Sequence, residues 1–220
     1  MKKGRFIFVV LSAFLLVTSS ALAFSLTEDF TGATINQSDL TTSTGLNQWN
    51  DLVRWQVIAT GGNPGAWAQQ TPSGVGAEES LLFYGFDATG LGTGTSFTLD
   101  FDFINERGNF NGKVYIGGLV GTEKISRFAP WGDLSATSFA SYSISSNINS
   151  WTAFTTINGI VGADYDVLYL AFQMGGYDAL RGVDNVNLQV GAPVPEPGTL
   201  LLLGAGLIGL FAVRRKARNI

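Results

Sequence analysis

From residue 96 to residue 104 the chain reads Ser-Phe-Thr-Leu-Asp-Phe-Asp-Phe-Ile, with Phe97, Leu99, Phe101 and Phe103 separated by polar side chains. A period of two places every apolar residue on one face of a strand, whereas a helix would scatter them around its circumference. Further runs rich in β-branched and aromatic residues fall at 55–59, 80–86, 113–120, 140–145, 151–157, 167–173 and 182–190, with Gly, Ser, Thr, Asn and Asp clusters between them. In the last run Val183, Val186, Leu188 and Val190 alternate less regularly. No stretch of ten or more residues in the body combines a 3.6-residue period with caps. Many short strands joined by turn-rich connections predict an all-β fold, a single antiparallel β-sandwich of jelly-roll type. No internal repeat suggests a propeller or solenoid. Segments 36–50 and 61–76 read as long loops, the kind of segment that carries binding residues.

Both ends follow other rules. Lys2, Lys3 and Arg5 precede an apolar run at 6–17, and Ala21-Leu22-Ala23 follows. A basic start, a short apolar stretch and a small-residue site make a secretory signal peptide, with cleavage expected after Ala23. At the other end Val194-Pro195-Glu196-Pro197-Gly198 is held extended by its prolines. An uncharged apolar run follows at 199–213, then the basic cluster Arg214, Arg215, Lys216 and Arg218. A helix over 199–213 would rise about 22 Å, short for a hydrocarbon core of about 30 Å, and snorkelling of the arginines makes up the difference. The basic cluster belongs on the cytoplasmic side, which leaves the body exported. The expected organisation is therefore a signal peptide at 1–23, a β-sandwich at 24–192 and a tail at 193–220.

This three-part tail resembles the PEP-CTERM sorting signal of Gram-negative bacteria that make exopolysaccharide. The resemblance rests on Pro195, Glu196 and Pro197, the apolar segment and the basic end, in that order. It implies an exosortase as partner, temporary residence in the inner membrane, processing near Pro-Glu-Pro and a final place at the cell surface or outside. Within the apolar segment, Gly204-Ala205-Gly206-Leu207-Ile208-Gly209 matches a dinucleotide fingerprint letter for letter. It lacks the strand–turn–helix setting that gives the fingerprint its chemistry, and reads as small residues for close helix approach.

The body's chemistry is bounded by what it lacks. The sequence has no His and no Cys, which removes the usual general base, the Ser–His and Cys–His nucleophile pairs and thiolate metal sites. Between residues 24 and 193 there are 6 basic and 16 acidic residues, a net charge of −10. Such a surface argues against nucleic acid and is compatible with divalent cations, neutral glycans or simple solubility. Asp100 and Asp102 share a strand face about 6.8 Å apart by rise, close to the spacing of an inverting glycosidase pair, but a solvated polar face gives the same pattern. Asp164 and Asp166 read the same way. Of the five tryptophans, Trp55 and Trp151 fall in strand-like runs and are expected in the core. Trp67 and Trp131 fall in loop-like sequence and are the expected carbohydrate contacts.

The opening Leu26-Thr27-Glu28-Asp29-Phe30 and the closing Gly182-Val183-Asp184-Asn185-Val186-Asn187-Leu188 are similar to the end strands of lectin-like jelly rolls and carbohydrate-binding modules. In those families an acidic residue near the first strand and the Asp of the last share a structural calcium. The resemblance carries this onto Glu28 and Asp184. The function expected is that of a non-catalytic, surface- or matrix-associated β-sandwich that binds exopolysaccharide. The alternatives are a purely structural envelope component and a carbohydrate-active enzyme with paired carboxylates.

Overall fold

The computed structural model describes residues 23–51, 55–70, 80–106, 112–126, 130–174 and 180–191. The signal peptide, the sorting tail and its expected helix at 199–213 lie outside these residues. In chain order the elements are β1 (Phe24–Glu28), β2 (Ile35–Asn36), β3 (Leu40–Thr41), β4 (Trp49–Asp51), β5 (Trp55–Gly62), β6 (Gly65–Gln70), β7 (Ser80–Asp87) and β8 (Ser96–Asn105). There follow β9 (Gly112–Leu119), β10 (Lys124–Ile125), α1 (Pro130–Thr137), β11 (Ser138–Ile144), β12 (Ile148–Ala153), β13 (Ile157–Ile160), β14 (Val167–Met174) and β15 (Arg181–Val190).

The strands form an all-β sandwich. One sheet runs β12-β8-β15-β6-β5, with β1 also paired to β15 and β13 to β8. The other runs β11-β9-β14-β7-β4-β2. Pairing is antiparallel except between β2 and β4. The main core lies between the sheets, where Phe97, Leu99, Phe101 and Phe103 of β8 meet Leu168, Leu170 and Phe172 of β14. Burying each such side chain contributes about 1.5–3 kcal/mol.

A second core covers the opposite face of the six-stranded sheet. Leu81, Phe83, Val167, Tyr169 and Ala171 pack there beneath Leu40 of β3, Ile125 of β10 and Leu134 of α1. That sheet is thus buried on both faces, and β14 is accordingly apolar along nearly its whole length rather than alternating. The seven-stranded sheet keeps an outer face of its own, where Thr98, Asp100 and Asp102 of β8 lie half-buried.

Several expectations are corrected. The run at 151–157 is not one strand: β12 ends at Ala153 and β13 begins at Ile157, both paired with β8. Segment 61–76 is not a loop throughout, because Gly65–Gln70 forms β6 and pairs with β5. The eight-residue α1 was too short for a period to be legible.

Candidate functional site

The imperfect alternation of β15 has a structural cause. Its register against β8 shifts between Asp184 and Asn187, and Asn185 adopts a positive φ of 48°. This β-bulge lets Val183 and Val186 both enter the core and turns Asp184 and Asn185 to the outer face. It falls where the neighbour of β15 changes from β6, paired at Gly182 and Val183, to β1, paired from Val186 onward. Bulges commonly re-aim side chains at functional positions.

The tip of the β5–β6 hairpin folds over this bulge. The Asn63 amide donates to Asp184 Oδ2 at 2.6 Å and the Asn185 amide to Asp184 Oδ1 at 2.8 Å. Asp102 Oδ2 accepts from Asn185 Nδ2 at 2.7 Å and from Asn63 Nδ2 at 3.2 Å, while Asn185 Nδ2 also reaches the Asn63 carbonyl. Asn63–Pro64 is a cis peptide. Asp184 is fully buried, and burial raises its pKa, against the two amide hydrogen bonds and with the nearby Asp102 and Asp29 carboxylates.

Beside this cluster stand two tryptophans. Ala66 and Ala68 enter the main core, so Trp67 between them points to the outer face. Its ring lies over Gly182, where a Cβ would collide with the indole and with the Ala68 carbonyl. Trp151 of β12 packs edge-to-face on Trp67, centroids 5.2 Å apart and planes at 87°. The two indole N–H groups donate to the Thr60 and Gly61 carbonyls at 3.2 and 2.8 Å. Trp67 is only 4% exposed, whereas Trp151 is half-buried and presents part of its ring to solvent. Farther along β8, Thr156 donates to Asp100 Oδ1, and Thr98 to Asn158 Oδ1 at 3.1 Å. The outer face therefore carries an aromatic surface continuing into a strip of carboxylate, amide and hydroxyl groups.

The sequence expectations fare unevenly. Trp67 is not in a loop; it lies in β6 with its ring covered by Trp151, which leaves it no open face for a ligand. Trp151, expected in the core, is the indole that reaches solvent. Trp131 falls in α1, and its side chain lies outside the described residues. Glu28 and Asp184 are not brought together. Glu28 pairs with Val186, which faces the core, and its carboxylate accepts from the Phe30 amide at 2.7 Å and from Trp49 Nε1 at 3.2 Å. Asp184 pairs with Asp102 and faces outward. The two carboxylates thus leave opposite faces of one sheet. Among the described residues, no group of three or more His, Cys, Asp or Glu side chains could hold a metal ion. Asn63, Asn185 and Trp151 were missed as site residues. The run Gly61-Gly62-Asn63-Pro64-Gly65 was a legible turn signal, but what it folds against was not.

Residues 193–216 match the PEP-CTERM protein-sorting motif. This marks a protein that is exported, held in the membrane by its tail until exosortase cleavage, and then associated with the surface. The sorting residues Pro195, Glu196 and Pro197 and the basic Arg214, Arg215 and Lys216 fall within the match. Among the described residues no helix is long and apolar enough to cross a membrane. No curated protein sequence matches the chain. Among solved structures it is similar to the enzymatically active domain of tailspike protein 4 of bacteriophage CBA120, at 13% identity and TM-score 0.45, over 66% of this chain and 20% of that one. It therefore spans about a fifth of that protein's length. It is also similar to the K3 cleaved adhesin domain of Lys-gingipain from Porphyromonas gingivalis W83, at 13% identity and TM-score 0.42, over 76% of this chain and 98% of that one. A third likeness is to the CBM22-1 xylan-binding domain of Xyn10C from Paenibacillus barcinonensis, at 13% identity and TM-score 0.40, over 71% and 94% of the two chains. Likenesses this distant carry no argument about ligand or activity.

Proposed function

We propose that the body is a non-catalytic glycan-binding module, delivered to the cell surface by its sorting tail, and that the outer face of the seven-stranded sheet binds a neutral extracellular polysaccharide. The observation that carries this reading is the half-buried Trp151 ring, braced by Trp67 and the Gly61 carbonyl, beside the Asp102–Asn63–Asn185 cluster. The apolar faces of sugar rings pack on aromatic surfaces, and fixed carboxylate and amide groups orient their hydroxyls. Braced side chains lose little entropy on binding, which favours affinity. The strip from Thr98 to Asp102 spans about 14 Å by strand rise, enough for more than one sugar unit. The non-catalytic part of the reading is supported by Asp100 and Asp102 each being engaged by neutral donors in a chain without His or Cys.

The test is equilibrium binding of the full chain, in a sugar-free detergent, to a panel of neutral tetrasaccharides and polysaccharides. Trp151→Ala should weaken binding by tenfold or more, the loss typical of a central aromatic anchor at about 2 kcal/mol, with thermal melting as the control for folding. Binding that is absent throughout, or indifferent to Trp151→Ala in a folded variant, overturns the reading.

A further inference from the structure

A cleft lies at the pole of the sandwich where β8 begins and β15 ends. There the β7–β8 loop, the β9–β10 turn, the β3–β4 segment and the segment leading into β14 border an open cleft of about 750 Å³, lined in part by Asp87, Thr89, Leu91, Asp164, Tyr165 and Asp166. That volume is within the range of small-ligand sites.

The cleft is built rather than incidental. Tyr165 is stacked on Phe139, centroids 5.5 Å apart and planes at 22°. Its ring lies against Gly118 of β9 so closely that a Cβ there would collide with it. Each carboxylate is fixed through one oxygen. Asp87 Oδ1 accepts from the Thr89 amide and hydroxyl at 2.8 and 2.6 Å. Asp164 Oδ1 accepts from the Thr93 amide and hydroxyl at 2.8 and 3.0 Å. Asp166 Oδ2 accepts from the Gly121 amide at 2.7 Å. These bonds aim the carboxylates and leave the second oxygens of Asp87 and Asp164 as acceptors. The Thr89 hydroxyl, then its amide, lower the pKa of Asp87, and the Thr93 amide, then its hydroxyl, lower that of Asp164, so both stay ionised acceptors at neutral pH. Among the described residues three carboxylates and no Lys or Arg line the cleft, which suits a neutral ligand better than an anionic one.

We propose that this cleft is a second glycan site, taking the terminal sugar of a neutral chain with its hydroxyls on Asp87 and Asp164 and its apolar side against the half-buried Tyr165. The inference rests on the glycan-binding reading above but uses none of its residues. The cleft lies at the Ser96 end of β8 and the first site at Asp102, about 20 Å away by strand rise. Two sites on one rigid sandwich would let a single molecule bridge two polysaccharide strands, gaining avidity without new contacts.

The test is calorimetric titration of the full chain, in a sugar-free detergent, with cello-, malto- and xylotetraose and, separately, with calcium chloride alone. Two binding events per chain are expected for one of the sugars. Asp164→Asn, an exposed and conservative change, should weaken one event by about tenfold or more, the loss expected for a hydrogen bond to a charged group. Tyr165→Ala should abolish that event, and Trp151→Ala should remove only the other. If binding depends on Trp151 and ignores both cleft variants, the second site is wrong and the first reading stands. If it depends on the cleft and ignores Trp151, the first site is wrong. Absence of all sugar binding overturns both, and a cleft that takes only calcium overturns this inference.

Discussion

Asp51 shows how much a single buried oxygen can matter. It closes β4, is 3% exposed, and its Oδ2 accepts the Trp55 amide at 2.9 Å while Oδ1 has no partner among the described residues. Burial raises its pKa, only partly offset by that amide. Because the folded pKa lies above the unfolded one, the stabilisation due to the neutral carboxyl is full below the ordinary carboxylate range and is lost as pH rises through the raised value. Asp51→Asn removes this titration. Its stability relative to wild type should therefore improve as pH rises above the ordinary carboxylate range, as measured by paired thermal melts; a difference that stays constant with pH would show that Asp51 does not titrate abnormally. Trp67 was misassigned at this same scale. Glycines and glutamines around it suggested a loop, but Gly182 across the strand gives its ring room against the sheet.

At the scale of elements, legibility followed burial. β8 could be read residue by residue because one face is buried and the other half-exposed. β14, buried on both faces, announced a strand but not what covers it. β15 looked irregular because its bulge interrupts the alternation, and no rule of period two anticipates a positive φ at Asn185. The short β3 and β10 were not legible at all, being two residues each, yet they close the second core through Leu40 and Ile125. Leu40 is fully buried, so Leu40→Ala should cost about 2–5 kcal/mol and lower the melting temperature by roughly 5–15 °C. Glycan binding at Trp151, on the other sheet, should be unchanged at temperatures where the variant is folded.

At the scale of the whole molecule, the chain leaves the sandwich at Gly191, whose amide bonds to the Ser96 carbonyl at 2.8 Å, and the sorting motif begins two residues later. Intact-mass analysis of the surface-released protein should show loss of the segment beyond Pro195-Glu196-Pro197. Glu196→Ala should leave full-length protein in the membrane fraction, and normal release of that variant would show that the glutamate is dispensable for processing. The destination of the protein was legible because targeting signals are contiguous segments recognised before or apart from folding, so residue order suffices. The sandwich class was legible because alternation and turns are local. The face proposed to bind glycan was not, because exposure is a long-range quantity. Packing of β3, β10 and α1 closes one sheet's outer face, Trp151 covers Trp67, and the β15 bulge and the β5–β6 hairpin tip bring Asn185 and Asn63 onto Asp102 from 83 and 39 residues away in the chain.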